Sequence, residues 1–293
     1  MFVAIRDFTV KWLGYTNLFE GLKDLEIDSF ELFVSSDLKE NAYKDMGHTT
    51  SLSFDLSTDE KLKAVAADLD NAGVSVCAIL VENDFGRADL AAEVKWAVDA
   101  CSVAEKLGIH AVRINSVMRP QEGVTEAEYA LITTDAIKDI LHQTNGLDVS
   151  LALENHGVMG NRREFIRKLL GDVNSDRLGL TLDTGNFYWF GYPIDEVYEL
   201  IAEFASSVKH VHVKNLVFAP PESQQRREPG WQWPKSAATV YEGDIDHRRV
   251  IDTIRSAGYD GDLTIEDESL GQFPKEECFG VIKRDIEYVR GLI

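Results

Sequence analysis

The stretch DVSLALENHG (148–157) holds an apolar run that leads to a glutamate, and three later stretches repeat this arrangement. They are LGLTLDTGN (178–186), VKHVHVKN (208–215) and DLTIEDES (262–269). Each run is rich in Val, Ile, Leu or Thr and follows a helical pattern, which is typical of strands in a parallel sheet. The polar residues at the ends of the four runs are Glu154, Asp183, His212 and Glu266. Three carboxylates and an imidazole that converge from neighbouring strands predict a divalent-cation site.

A strand followed by a helix repeats along the whole chain. The predicted strands are 2–6, 29–34, 74–81, 110–115, 148–154, 178–183, 208–214 and 262–266. The predicted helices are 58–71, 89–107, 125–143, 161–170, 193–206, 246–257 and 275–290. Eight alternating units predict an α/β fold of the (β/α)8 barrel (TIM barrel) type. The alternative is a doubly wound open sheet, which would need a Gly-rich phosphate turn after its first strand, and no GxGxxG occurs there.

Length and composition favour one large domain. The chain has 293 residues, of which 44% are hydrophobic, and no long Pro/Gly/Ser-rich linker divides it. A single barrel falls in this size range, so we predict one domain over residues 1–293.

Charge and targeting signals narrow the class of protein. The formal net charge is −20, which repels phosphate backbones, so we expect no nucleic-acid partner. The apolar runs are too short to span a bilayer, and the N-terminus does not read as a signal peptide, so we expect no membrane association. The three cysteines form no CxxC pair. Together these features predict a cytoplasmic protein with reduced thiols.

Strand parity predicts that the polar residues face the barrel axis. Successive side chains of a strand point to opposite faces, so His210, His212 and Lys214 share one face, and Val211 and Val213 share the other. The valines should face the helices, which turns the polar residues inward. The same parity places Glu154 with His156, Thr181 with Asp183, Thr264 with Glu266, and Arg113 with Asn115. Barrel active sites lie at the C-terminal ends of the strands, where these inward sets become charged.

The ligand types indicate which ion the site would hold. Three buried carboxylates in proximity are costly unless a cation compensates their charge. A set of three carboxylates and one imidazole without thiolate favours one divalent ion, Mn²⁺ before Mg²⁺ or Co²⁺, over structural zinc. The alternative is that these carboxylates are bonded to loop amides.

Several motifs resemble the sugar phosphate isomerase/epimerase family, the xylose isomerase-like barrels. The motifs are ALENHG, LTLDTGNF, HVHVKN, YEGDIDHRRVIDTIRSAGYDG and LTIEDES, within a resemblance that spans nearly the whole chain. This resemblance implies a single metal held by the four strand-end residues. It also implies that Glu154 and Glu266 flank the substrate and exchange protons with it. Two features depart from the ketose epimerases: Asn186 replaces a usual histidine, and His156 stands beside the first ligand, which favours a different polyol or keto-sugar.

The predicted reaction is proton abstraction next to a carbonyl, through an enediolate, with Glu154 and Glu266 as the proton-transferring pair. Lys214 would stabilise the developing oxyanion, or else form a salt bridge to Glu242 or Asp244. His156 would be a general base or a hydroxyl contact, or else orient Glu154.

Other residues are candidates for substrate binding. Arg113 and Asn115 would contact substrate or buttress Glu154, and Asn186 would contact substrate or satisfy its turn. Residues 216–245 form a long connection, and such loops in compact domains are usually lids or interfaces. Within it, Trp231 and Trp233 could stack on a sugar, and Arg226 and Arg227 could meet an anion. Glu242, near its end, is a further substrate-binding candidate.

The first functional hypothesis is therefore a metal-dependent isomerase or epimerase of a small carbohydrate, unphosphorylated because no phosphate-binding glycine turn is evident. The second is a lyase with the same proton abstraction, either an inosose-type dehydratase or an enzyme that deglycosylates 3-keto-glycosides. A remote third is a phosphodiesterase similar to endonuclease IV, which the charge and the few strand-end histidines disfavour. A non-catalytic barrel is the last alternative, and a homo-oligomer or a partner subunit remains open.

Overall fold

The computed structural model describes residues 1–39 and 54–293. Its strands are β1 (Phe2–Arg6), β2 (Ser29–Phe33), β3 (Ser75–Leu80), β4 (Ala111–Ile114), β5 (Ser150–Glu154), β6 (Leu178–Asp183), β7 (Val208–Val213), β8 (Asn215–Leu216), β9 (Ala237–Ala238) and β10 (Asp262–Ile265). All except β8 and β9 form a closed parallel barrel in the order β1-β10-β7-β6-β5-β4-β3-β2. The predicted (β/α)8 barrel is confirmed, and the doubly wound alternative is wrong because the sheet has no open edge.

Helices connect the barrel strands. They are α1 (Asp7–Trp12), α2 (Leu18–Asp24), α3 (Asp59–Ala72), α4 (Leu90–Lys106), α5 (Glu126–Gln143), α6 (Arg163–Val173), α7 (Asn186–Trp189), α8 (Ile194–Phe204), α9 (His247–Ser256) and α10 (Lys275–Arg290). Local signals set several of their ends. Thr125 and Glu128 form a capping box at the start of α5, and α3 ends at Gly73 with a φ of 65°. The sequence did not predict the short helices α1, α2 and α7.

The barrel interior is polar at its C-terminal end. Strands β2 and β7 are separated by β10 and β1 in the closed sheet, yet Glu31 on β2 contacts His210 and His212 on β7. Side chains from non-neighbouring strands can meet only across the interior, so both histidines face the barrel axis. Val211 and Val213 alternate with them and join the buried apolar core. The parity predicted for β7 is therefore the observed one.

The connection between β7 and α9 is closed at its base by a short sheet. Leu216 of β8 pairs in antiparallel register with Ala237 of β9. The Arg227 guanidinium is buried inside this connection and donates hydrogen bonds to the carbonyls of Tyr188 and Tyr192, at 2.8 and 3.1 Å. Backbone oxygens thus accept hydrogen bonds from both terminal nitrogens of this guanidinium, and the idea that Arg227 meets an anion stays a prediction. Arg226 is exposed and stacks over the ring of Tyr192.

Within the described ranges, no helix combines the length and the apolar character that crossing a bilayer requires.

Candidate metal and active site

The four strand-end residues converge at the C-terminal mouth of the barrel. Glu154 ends β5, Asp183 ends β6, His212 lies near the end of β7, and Glu266 follows β10 directly. All four are buried. One donor atom from each lies within 4.8 Å of the donor atoms of the other three. Two ligands on opposite sides of one ion can be no further apart than two bond lengths, about 4.0–5.2 Å for Mg²⁺ to Ca²⁺, so this spacing fits a single ion.

Sheet register produces this convergence. Asp183 pairs with His212 across β6 and β7, and His212 pairs with Thr264 across β7 and β10. Glu266 lies two residues beyond Thr264 and shares its face, so it stands next to His212. Because inward-facing residues of adjacent strands are held by backbone pairing, the cluster does not depend on loop conformation.

One carboxylate oxygen of Glu154 contacts a supporting side chain, and the other faces the ligand cluster. Its Oε2 contacts the buried guanidinium of Arg113 and lies 3.1 Å from His156 Nδ1. Its Oε1 lies 3.0 Å from Nδ1 of His212. Arg113 therefore buttresses Glu154, one of the two roles that the sequence left open for it.

Asp183 shows the same division. Its Oδ1 accepts hydrogen bonds from the backbone N–H groups of Gly185 and Asn186, at 2.8 and 2.9 Å. Its Oδ2 is buried, accepts no hydrogen bond from the described residues, and lies 2.9 Å from Lys214 Nζ. Burial raises the pKa of Asp183 to about 6, although the positive charge of Lys214 opposes this shift.

Glu266 completes the pattern. Its Oε1 contacts the guanidinium of Arg6. Its Oε2 is buried, lies 3.2 Å from His212 Nδ1 and 3.5 Å from Lys214 Nζ, and accepts no hydrogen bond of good geometry within the described chain. Each carboxylate thus presents one supported oxygen and one oxygen directed at His212 or Lys214.

The residues present fit a divalent cation. Three carboxylate oxygens and one imidazole nitrogen in one cluster are a suitable donor set, and two of those oxygens are buried and accept no hydrogen bond of good geometry from the described residues. The charge argument from the sequence is nevertheless too strong, because each carboxylate also has a cationic side chain beside it. These pairs are Glu154 with Arg113, Asp183 with Lys214, and Glu266 with Arg6. Convergence of donor atoms, rather than charge compensation alone, indicates the site.

Glu31 is a site residue that the sequence analysis missed. Its Oε1 lies 2.9 Å from Nε2 of His212 and 3.0 Å from Nε2 of His210. Burial would raise the pKa of Glu31, but the positive charges of these histidines hold it well below its usual value. Burial likewise opposes protonation of His212, yet Glu31 and Glu266 raise its pKa to about 9. The sequence does contain a signal that could have identified Glu31: it is the only charged residue of the apolar strand SFELF.

A deeper polar group lies around His210. Its Nδ1 lies 2.8 Å from Asp262 Oδ2, and Thr264 donates a hydrogen bond to the same oxygen. Cys77 approaches Thr264 and has a pKa raised well above its usual value by burial. The hydrogen bonds among these residues account for their burial, and His210 therefore belongs to the barrel interior beneath the site.

Lys214 has different partners from those predicted. Its Nζ lies 2.9 Å from Asp183 Oδ2 and 2.9 Å from Glu268 Oε2, and donates to Asn186 Oδ1 at 3.2 Å. The salt bridge to Glu242 or Asp244 is wrong. Glu242 is exposed, and Asp244 accepts hydrogen bonds from the Tyr188 hydroxyl and the Phe218 N–H instead.

His156 and Asn115 lie together beside Glu154. His156 Nδ1 is 3.0 Å from Asn115 Oδ1 and 3.2 Å from a guanidinium nitrogen of Arg113. Burial, with the positive charges of Arg113 and Lys214, lowers the pKa of His156 to about 3. The imidazole is consequently neutral near pH 7. A tautomer that donates through Nδ1 leaves Nε2 as a hydrogen-bond acceptor.

Two cavities adjoin the cluster, and they share Trp233 and Glu268. The larger one, about 240 Å³, also includes Glu266 in its wall, and the smaller one, about 140 Å³, includes His156, Asn186 and Lys214. Of the two tryptophans proposed to stack on a sugar, the structure places Trp233 at the site. Trp231 is 46% exposed and lies outside both cavity walls as far as the described chain defines them.

Family comparison agrees with this geometry. The family described as "Xylose isomerase-like TIM barrel" matches residues 19–288. The chain belongs to this family. A curated relative, an uncharacterized protein of Methanocaldococcus jannaschii, is 24% identical over 157 residues, which cover 52% of the chain and 48% of that protein. The chain therefore aligns with about half the length of this relative.

Several solved structures share the fold of this chain. The IOLI protein with a bound zinc atom has a TM-score of 0.73 at 16% identity, covering 100% of the chain and 99% of that protein. D-psicose 3-epimerase from Clostridium cellulolyticum H10, solved with D-tagatose, has a TM-score of 0.68 at 12% identity, with coverages of 100% and 99%. Mannonate dehydratase from Streptococcus suis has a TM-score of 0.68 at 14% identity, with coverages of 100% and 93%. The xylose isomerase-like fold thus includes both epimerases and dehydratases.

Proposed function

We propose that this chain is a divalent-metal-dependent isomerase or epimerase of an unphosphorylated sugar or keto-polyol. One observation carries the proposal: Glu154 Oε1 and Glu266 Oε2 both approach His212 Nδ1, at 3.0 and 3.2 Å. These glutamates come from β5 and β10, which are separated by β6 and β7 in the barrel. They therefore reach the centre from different sides, as a pair that exchanges protons with two faces or two carbons of one substrate requires.

The ligands Glu154, Asp183, His212 and Glu266 would hold the ion. When bound, Mn²⁺, or alternatively Mg²⁺ or Co²⁺, supplies the positive charge that makes a C–H bond next to a carbonyl more acidic. Three carboxylate oxygens and one imidazole nitrogen support these ions, although zinc in one relative of the same fold makes metal identity a question for measurement.

Glu154 and Glu266 are the proposed proton-transferring residues. Arg113 and Arg6 fix one oxygen of each, so the second oxygen has a defined position near the substrate. General acid–base groups of this kind contribute about 10²–10⁴-fold to rate. Substitution of Glu154 or Glu266 should therefore abolish proton exchange with the substrate, while Arg113 and Arg6 keep the barrel intact.

Lys214 and His156 favour isomerisation over elimination. Burial would lower the pKa of Lys214, but Asp183, Glu266 and Glu268 raise it well above its usual value. An ammonium that keeps its proton suits stabilisation of a developing oxyanion. The lowered pKa of His156 makes it a hydrogen-bond acceptor for a substrate hydroxyl. Since neither side chain is a strong acid near pH 7, the expulsion of a hydroxyl group is less well supported.

Metal content and deuterium uptake test the proposal together. The protein would be purified, offered Mn²⁺, dialysed and analysed by plasma mass spectrometry. It would then be incubated in D₂O with a panel of ketoses and keto-polyols. We expect one ion per chain, and deuterium in at least one sugar without loss of water. Asp183→Ala should lose the ion. Glu154→Gln and Glu266→Gln should lose exchange by at least about 10²-fold.

Asp172→Asn is the matched control, because this exposed carboxylate of α6 pairs with Lys168 and does not belong to the ligand cluster. It should retain both the ion and the exchange. Release of water or of an aglycone would assign the lyase instead. Absence of any bound ion after Mn²⁺ is offered would refute the proposal, as would a bound ion without exchange in any sugar tested.

A further inference from the structure

The two cavities beside the metal cluster differ in chemistry. We call the larger one, about 240 Å³, the aromatic cavity, because Phe8, Trp12 and Trp233 form its walls together with Leu270. We call the smaller one, about 140 Å³, the polar cavity. Lys214, His156 and Asn186 line it together with Trp189. Trp233 and Glu268 belong to both walls, so the cavities are adjacent.

The aromatic cavity has the size and lining for a ring. A cavity of about 150 Å³ with apolar walls is large enough to bind benzene. The aromatic cavity exceeds that volume, at about 240 Å³. Phe8 and Trp12 stand with their ring centroids 6.0 Å apart and their planes inclined by 52°. Aromatic groups pack favourably in such tilted arrangements, at ring separations of about 4.5–7 Å.

The polar cavity has the groups that a sugar requires. An imidazole, a primary amide and an amino group provide both acceptors and donors for hydroxyl groups. Its volume of about 140 Å³ is close to that of one six-membered ring. Glu266 lines the aromatic cavity and also belongs to the ligand cluster, so the reacting centre lies where the cavities approach each other.

Charge restricts what the aromatic cavity would take. Its wall holds one cationic side chain, Arg6, against three carboxyl groups, those of Glu266, Asp267 and Glu268, and the whole chain carries a formal net charge of −20. An anionic substituent would be repelled by this field, and a neutral one would not.

We propose that the substrate is a sugar with a neutral aromatic substituent: the sugar lies in the polar cavity and the aromatic ring lies in the aromatic cavity. This inference rests on the proposed function for the role of the sugar, but the aromatic subsite can be tested separately. Binding requires no turnover, so an unreactive glycoside is a suitable probe.

Calorimetric titration of the Mn²⁺-loaded protein with phenyl β-D-glucopyranoside and methyl β-D-glucopyranoside tests the subsite. We expect the phenyl glycoside to bind at least about 10-fold more tightly, since burial of each CH2-sized group contributes about fourfold to affinity. Trp12→Ala should remove that preference and leave the methyl glycoside within about twofold of its original affinity. A preference of about 10-fold or more exceeds the change of about fourfold that one methylene-sized contact would produce.

Two further variants keep the test decisive. An added Cβ at Gly271 meets no atom of the described residues within 4 Å, so Gly271→Leu would fill the aromatic cavity, which it lines, without a clash at its Cβ. This variant should also abolish the phenyl preference. Trp231→Ala, on the same long connection as Trp233 but exposed, is the matched control and should retain the preference.

The outcomes separate the subsite from the reaction. Equal affinity for the two glycosides, or no binding of either, would overturn the inference even if deuterium exchange had supported an isomerase. A phenyl preference that disappears in Trp12→Ala or Gly271→Leu supports the subsite. If no sugar then exchanges deuterium, the proposed reaction fails, and the aromatic subsite remains established.

Discussion

Glu31 Oε1 lies 2.9 Å from Nε2 of His212, while Nδ1 of the same imidazole faces Glu154 and Glu266. This contact fixes the orientation of the ring, because one nitrogen is occupied by a carboxylate and the other is left for the ligand cluster. A carboxylate that accepts the second N–H of a ligating histidine also makes that ligand more basic. Glu31 is therefore a positioning residue for the metal site.

We predict that Glu31→Ala weakens Mn²⁺ binding by about 10–100-fold, the usual effect of removing such a partner. Glu31→Gln should lose less, because its amide oxygen can still accept the His212 proton. Competition with a fluorescent chelator measures both affinities. Glu93→Gln is the control, since Glu93 is also buried but pairs with Arg87 and the Asp84 N–H outside the barrel. Unchanged affinity in a folded Glu31→Ala protein would contradict the positioning role.

Arg227 should determine the stability of the long connection. Its guanidinium donates to the carbonyl of Gln225 within the connection and to those of Tyr188 and Tyr192 in and after α7, so Arg227→Ala leaves buried acceptors without partners. We expect a loss of about 1–3 kcal/mol in the free energy of unfolding. Trypsin should then cleave faster after Lys235, as measured by mass spectrometry. Arg226→Ala changes an exposed neighbour and should alter neither quantity, so equal effects in the two variants would refute the anchoring role.

The carboxyl group of Asp285 gives a pH dependence. Burial and the charge of Asp267 raise the pKa of Asp285 from 3.8 to about 10. Between these values the folded chain holds a proton that the unfolded chain releases, so the free energy of unfolding falls as pH rises. The side-chain amide introduced by Asp285→Asn is neutral at every pH and escapes this loss. Asp285→Asn should therefore be more stable than the wild type at pH 8.5, and the advantage should shrink towards pH 5 in urea unfolding.

The control for this comparison is Asp252→Asn, because Asp252 is exposed on α9 beside Arg255. Its effect on stability should not change systematically between the two pH values. A constant difference between Asp285→Asn and the wild type at both pH values would show that Asp285 is ionised in the folded protein.

Two glycines should respond in opposite directions to substitution by alanine. Gly191 has a φ of +102°, and an added Cβ would lie 2.1 Å from the carbonyl oxygen of Arg227. Gly191→Ala should cost more than about 1–2 kcal/mol, since the positive φ alone costs roughly that much. Gly171 lies in α6, where an added Cβ would have no atom within 4 Å in the part of the chain that the structure describes, so Gly171→Ala should stabilise by about 0.5–1 kcal/mol. Thermal unfolding of the two variants measures both effects.

Hydrophobic patterning predicted the barrel strands with good boundaries, and β1 and β6 match their predicted ranges fully. Apolar runs of this length are buried on both faces in a parallel sheet and stand out from helices. The helices α1 and α2 were missed because six and seven residues are too few for a helical period to show. The base of the long connection was missed because β8 and β9 are only two residues each.

Parity placed the four candidate ligands and the supporting residue Arg113, but not the supporting residues Arg6 and Glu31. Arg6 ends β1 and Glu31 lies within β2, and neither follows an apolar run with a polar motif behind it. Their roles depend on contacts across the barrel, to Glu266 and to His212. Such contacts follow from barrel closure and strand order, which a pattern within one strand does not contain.

Trp233 lies on a connection whose two ends are tied together where Leu216 pairs with Ala237. Insertions, deletions or replacements between these two points need not move any barrel strand or any of the candidate ligands. The wall that divides the two cavities can thus be exchanged as a separate part. In evolution or in design, such an exchange offers a route to new specificity with the same proton chemistry.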